Sequence, residues 1–383
     1  TPPAAFTTGS VTTTTNAVAG WWNGDNSAVN IDVPVANDAS LVYGTVQIIA
    51  SRDNWTNTLN LGSAQTINLG DLNTTKTYTF PKATFEALTG FTENDVWRFN
   101  AIITDFAGNS TTGTQSSTTL TVDRVDPTVT LNSATADNII NISEKTAGFN
   151  VNAQANQNNV TLYVVNVTDN TPTYSNIATV GFASATAPTA GTPVNIAVSA
   201  GNTNIIDGKI YRVFAMDQAG NLSAASTGSF TTDLTAPGAF TTDNVIVVSG
   251  AKPGYYNATD NTNNRDVQVT VPVANDASLT GGTIQVQVKR GVSGTFENIG
   301  TPHSITGGNL GNNVDITITK TQLQAITGLS EGDVLYWTAI ITDLAGNSTT
   351  GTTSSSTITY DIIPPTATTI ASRTTVTAPI VAN

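Results

Sequence analysis

The chain of 383 residues has no cysteine, one histidine and one methionine, and only 11% of its residues are charged. The missing cysteines exclude a disulfide-stapled fold, thiol catalysis and zinc sites built on thiolates. Charge is too sparse for a coiled coil or for charge-driven disorder. No apolar run approaches the roughly 20 residues a bilayer-spanning helix needs. No Gly-rich phosphate loop is present. The charge that exists is acidic, with 27 Asp and Glu against 14 Lys and Arg for a net of -13. Such a chain repels phosphate backbones and anionic lipid, so neither nucleic acid nor membrane insertion is expected. Cations, neutral polymers such as glycans, and other copies of itself are the partners left. Thr1 is not an initiator methionine and no basic-then-apolar leader precedes it, so the N-terminus reads as processed.

What is present is a repeat. VPVANDASL occurs at Val33–Leu41 and again at Val271–Leu279, and ITDFAGNSTTGT from Ile103 returns as ITDLAGNSTTGT from Ile341, both at an offset of 238 residues. TPPAAF at Thr1 aligns roughly with TAPGAF at Thr235, and GWWN at Gly20 with GYYN at Gly254. Between the copies, YRVFAMDQAGNLS from Tyr211 keeps the D-x-A-G-N ending. Each D-x-A-G-N is followed by an Asp and, within six residues, a proline: Asp123, Asp233 and Asp361. Short Pro-containing joints suit stiff links between consecutive domains. The expected domains are 1–123, 124–233 (divergent) and 234–361 (a duplicate of the first), with 362–383 as a C-terminal strand or tail.

Period-2 alternation dominates, as in Asn30-Ile31-Asp32-Val33-Pro34-Val35 and Ile284-Gln285-Val286-Gln287-Val288. Abundant Thr favours strands because branching at Cβ packs well on a pleated surface. Only Lys82–Leu88 and its duplicate Lys320–Ile326 read as a turn or two of helix. Short strands separated by turn signals every 8 to 12 residues indicate an all-β sandwich. Y-x-V-x-A-x-D-x-A-G-N at Tyr211–Asn221 resembles the penultimate strand and following turn of fibronectin type III and bacterial immunoglobulin-like domains. DNIINISE at Asp137–Glu144 resembles the opening of Ig-like modules in surface adhesins. The resemblance implies three tandem Ig-like (fibronectin III-like) β-sandwiches in an elongated array, plus a C-terminal extra strand. It also implies calcium at domain joints in some such adhesins. A tyrosine corner fits Tyr211, whereas the equivalent places hold Phe99 and Trp337, which cannot donate a phenolic hydrogen bond.

Few residues carry chemistry. His303 lies in Thr-Pro-His-Ser and its duplicate position holds Gln65, so it reads as a loop side chain and no enzyme is expected. Two readings stay open for the recurring carboxylates. Asp105, Asp123, Asp217, Asp233, Asp343 and Asp361 are all candidate oxygen ligands for a hard cation such as calcium at the domain joints. Against that stands turn chemistry, which explains the D-x-A-G-N acids Asp105, Asp217 and Asp343 best and Asp123, Asp233 and Asp361 least. The adjacent aromatics Trp21-Trp22 and Tyr255-Tyr256 place one ring on each face of a strand, one inward and one able to meet a partner domain or a sugar. In the tail, Val376, Ile380 and Val381 are candidates for engaging a sheet edge of another copy. The expected function is a non-enzymatic, secreted cell-surface structural protein: a filament, sheath, surface layer or adhesin stalk. A carbohydrate-binding module using surface aromatics is the alternative.

Overall fold

The computed structural model describes residues 1–366. Val376, Ile380 and Val381 lie outside the described residues. The chain divides into two compact units, Thr1–Leu234 and Thr235 onward.

The first unit holds two sandwiches. In the first, Val11–Thr14, Ala28–Val35 and Thr74–Pro81 form a three-stranded sheet in that order. The facing sheet runs Trp21–Trp22, Leu120–Val122, Val96–Thr104, Thr45–Ser51, Leu59–Asn60, with Gln65–Thr66 and Ser110–Thr112 as short additions. Alternation does the work the sequence implies: Val29, Ile31, Val33 and Val35 are buried while Asn30, Asp32 and Pro34 between them are not. The core between the sheets contains Trp22, Trp97, Phe85 and Phe99. Phe85 sits edge-on to Trp22 at 4.9 Å and to Trp97 at 5.6 Å, arrangements favoured by the ring quadrupoles.

The second sandwich has a three-stranded sheet, Val129–Ser133, Phe149–Ala155 and Val194–Val198. Its five-stranded partner runs Ile139–Ile140, Phe230–Thr232, Ile210–Met216, Val160–Asn166 and Gly181–Ala187. It has its own core. The second unit repeats the first sandwich strand for strand, with Val245–Val247, Val267–Pro272 and Asn313–Ile318 against a sheet opening Tyr255–Asn257, Ile358–Asp361, Val334–Thr342, Thr283–Arg290. In all three, the opening segment begins in the small sheet and then crosses to pair in parallel with the last strand of the large one. This is the immunoglobulin-like, fibronectin III-like sandwich.

The two expected helical turns are Lys82–Glu86 and Lys320–Gln324, each burying one apolar side chain, Phe85 and Leu323. Among the described residues there are three more α-helices, Ile142–Ala147, Ile177–Val180 and Ala258–Thr262. Two of these start on a capping box, where Asn141 and Asn257 accept backbone N–H groups while Glu144 and Asp260 reach back. The N-x-x-E and N-x-x-D spacing was the available signal for them in the sequence.

Candidate functional site

All three D-x-A-G-N segments form one turn. In each, the Asp carboxylate accepts both the backbone N–H and the side-chain N–H of the Asn four residues on, at 2.8 and 2.9 Å for Asp105, 2.9 and 2.9 Å for Asp217, and 2.8 and 3.0 Å for Asp343. The backbone closes the same loop, Asp N–H to Asn carbonyl at 2.9, 3.1 and 2.9 Å. Turn chemistry therefore accounts for these three acids.

In the second sandwich the turn does more, because it is seated on the far end of the first. Asn221 donates from Nδ2 to the Asp123 carbonyl at 2.9 Å and accepts the Gly24 N–H on Oδ1 at 3.1 Å. Asn23 donates to the Ala219 carbonyl at 2.8 Å, and the Tyr174 hydroxyl to the Ala17 carbonyl at 3.3 Å. Gly220 has φ +89°, and a Cβ there would lie 2.8 Å from both Val18 and Tyr174. Only glycine allows this approach.

The link between the sandwiches is pinned as well. Arg124 makes a 2.6 Å ion pair with Glu93, a second at 3.3 Å with Glu86, and lies 5.0 Å over the Phe91 ring. Its backbone N–H donates to Glu93 at 2.9 Å. On the other side, Gln157 donates to the Val125 carbonyl at 2.9 Å and Asn156 accepts the Thr128 N–H at 2.7 Å. Glu331, the duplicate of Glu93, receives the N–H groups of Ile362 and Ile363 at 3.0 and 3.2 Å at the exit of the third sandwich. Glu93 and Glu331 were not among the residues the sequence singled out. Their recurrence at the repeat offset was the available signal.

Burial in this joint pushes the carboxyls of Asp123 and Asp217 above the ordinary range, with the two charges adding to the shift on Asp217. Asp126 is raised by burial and by Asp25. Asp105, in the same turn of the first sandwich, is lowered by its Asn109 hydrogen bonds. Asp361 is raised by the facing Glu331 carboxylate. Asp233 donates its backbone N–H to the Ile140 carbonyl at 3.0 Å. The six acids are thus spread over separate turns and strand ends. Among the described residues, no three or more His, Asp or Glu side chains are grouped to hold a metal ion.

The aromatic pairs split as alternation requires. Trp22 and Tyr256 are fully buried, Trp22 donating to Glu86 at 3.0 Å and Tyr256 to the Arg265 carbonyl at 3.1 Å. Burial and the neighbouring Tyr360 push the Tyr256 hydroxyl up to about 12. Both rings are core, because their strands pair with the last strand of the large sheet and face inward, so neither offers a surface for a partner. Trp21 and Tyr255 stay half-buried, with Lys252 lying 4.2 Å over the Tyr255 ring. Tyr211 makes its corner: its hydroxyl donates to the Asn204 carbonyl and accepts the Ile206 N–H, both at 2.8 Å. Trp337, at the equivalent place, is buried, and its indole N–H has no partner among the described residues. His303 is half-buried in a two-residue strand beside Thr283–Arg290.

No known protein family and no curated protein matches the chain. Among solved structures, the one described as a structural insight into host cell surface retention of a 1.5-MDa bacterial ice-binding adhesin aligns over 88% of this chain and 92% of its own. Its identity is 18% and its TM-score 0.34. A Ca²⁺-stabilised adhesin of an Antarctic bacterium aligns over 96% and 76%, at 20% identity and a TM-score of 0.36. Domains A168-A170 of titin align over 88% and 94%, at 12% and 0.35. Among the described residues, no helix is long and apolar enough to cross a membrane.

Proposed function

We propose that the chain is a non-enzymatic extracellular structural segment of adhesin-like kind, in which Ig-like sandwiches act as spacers held at a fixed mutual geometry. The observation that carries this reading is the joint inside the first unit, where one asparagine uses both ends of its amide across the boundary. A hinge meant to swing has no use for that, nor for an Arg124 anchored by two glutamates. Sparse charge, Thr-rich strands and the lack of cysteine suit an exposed, wear-resistant β protein.

The test exploits the missing cysteines, since single thiols introduced on the first and second sandwiches take spin labels cleanly. The full chain should give one narrow inter-label distance distribution, and Asn221→Ala should broaden it. A broad distribution in the unaltered chain would overturn the reading.

A further inference from the structure

The first sandwich ends, at the side opposite Asp123, in three loops tied together by backbone hydrogen bonds. The Tyr43 N–H donates to the Ile67 carbonyl at 2.9 Å and the Phe106 N–H to the Ser40 carbonyl at 3.1 Å. Each loop carries one large apolar side chain standing in solvent: Tyr43 is 71% exposed, Leu69 72% and Phe106 73%. The Tyr43 and Phe106 rings meet edge-on at 6.2 Å.

The duplicate sandwich shows that the fold does not need them. At the offset of 238 residues its counterparts are Gly281, Gly307 and Leu344. Tyr43 is held at φ 67° where the duplicate has glycine at φ 90°. A bulky side chain in the left-handed region is strained. An exposed ring kept at a strained position, with two more large apolar side chains in solvent beside it and strands otherwise copied from the duplicate, marks an interaction surface.

What occupies it is indicated by the molecule's own joint. Asp105–Asn109 is the same turn as Asp217–Asn221, which is seated on the far end of a sandwich, against Ala17, Val18, Asn23 and the Asp123 carbonyl. The far end of the second unit repeats that receiving surface. Ser249 is left-handed at φ 54° as Thr15 is at φ 62°, Tyr255–Asn257 pairs in parallel with Ile358–Asp361, and Asn257 stands for Asn23. Two differences adapt it to an aromatic guest. Val18 is replaced by an exposed lysine, Lys252, and beside it opens a cavity of about 600 Å³ bounded by Val245, Val247, Lys252 and Gly254, against about 350 Å³ in the first sandwich. A lysine beside an apolar cleft fits aromatic rings next to a carboxylate turn.

The geometry points to a head-to-tail contact between copies of this chain, in which the Tyr43, Leu69 and Phe106 tip of one copy seats on the Lys252 end of the second unit of another. The contact is heterologous and propagates.

Sedimentation of the full chain tests it across a concentration series to the millimolar range. Unaltered protein should form dimers and longer chains as concentration rises. The triple variant Tyr43→Gly, Leu69→Gly, Phe106→Leu carries only residues the duplicate already folds with, and should raise the dissociation constant by about tenfold or more. Lys252→Glu should do the same from the other end, and an equimolar mixture of the two variants should stop at dimers, because each retains one working surface. A melting curve on each variant verifies folding. Unaltered protein that stays monomeric throughout, or a folded triple variant that assembles as before, overturns the contact. The spacer reading drawn from Asn221 would survive either result, since it rests on a different surface.

Discussion

Asn109 and Asn221 make identical bonds to their own turns, yet they differ in what removal should cost. Asn221→Ala breaks two further bonds across the joint and leaves the Gly24 N–H and Asp123 carbonyl without it. An effect of about 1–3 kcal/mol is expected on denaturation of the first unit, and Asn109→Ala should cost visibly less. A second comparison turns on indole N–H groups. Trp22 donates to Glu86, whereas the Trp337 donor is buried without a partner among the described residues. Trp22→Phe should therefore be more destabilising than Trp337→Phe by about 1–2 kcal/mol in urea unfolding. Little of this was legible in the sequence. That the D-x-A-G-N acids could form turns was legible because Asp and Asn bond locally, but which turn is solvated and which is docked depends on a neighbouring sandwich no local pattern encodes. Likewise, an adjacent Trp pair fixes that one ring faces in, while the ring that does so follows from strand pairing some hundred residues away.

At the scale of elements, the strands were legible because two-residue alternation is a geometric property of a half-buried strand. The helices after Asn141 and Asn257 were not, since each is only five or six residues long and buries no apolar side chain, which leaves no helical apolar period to read. The joint between the first two sandwiches also responds to pH in a way its elements dictate. Asp123, Asp126 and Asp217 have raised values through burial, so their contribution is complete below the ordinary carboxylate value and is lost as pH rises through the folded value. Loops of the first sandwich behave oppositely. Asp38, Asp71 and Asp105 are lowered by hydrogen bonds from Ser40, Lys76 and Asn109, and Asp53 falls to about 2 through Asn57, so their stabilisation is present above the ordinary value and lost as pH falls through the folded one. Acidification from neutrality through the folded values of these three acids should narrow the inter-label distance distribution across the joint. Further acidification toward about pH 2 should lower the melting temperature of the first sandwich. A joint that loosens as these acids take up protons would contradict the assignment of the buried acids.

For the molecule as a whole, separate cores in separate sandwiches predict thermal unfolding in more than one step. The two sandwiches of the first unit share a bonded joint and should melt together, and Asn221→Ala should split that calorimetric peak. One feature of every sandwich carries a mechanical consequence. Because Trp21–Trp22, Ile139–Ile140 and Tyr255–Asn257 each run parallel to the last strand of their sheet, tension applied through the two chain ends slides these strands past one another. It does not peel them apart. Bonds loaded in that direction share the force and must fail together, so each module is built to hold under pull, and a proline at Trp22, removing the inward ring and the ladder at once, should lower its rupture force in single-molecule extension.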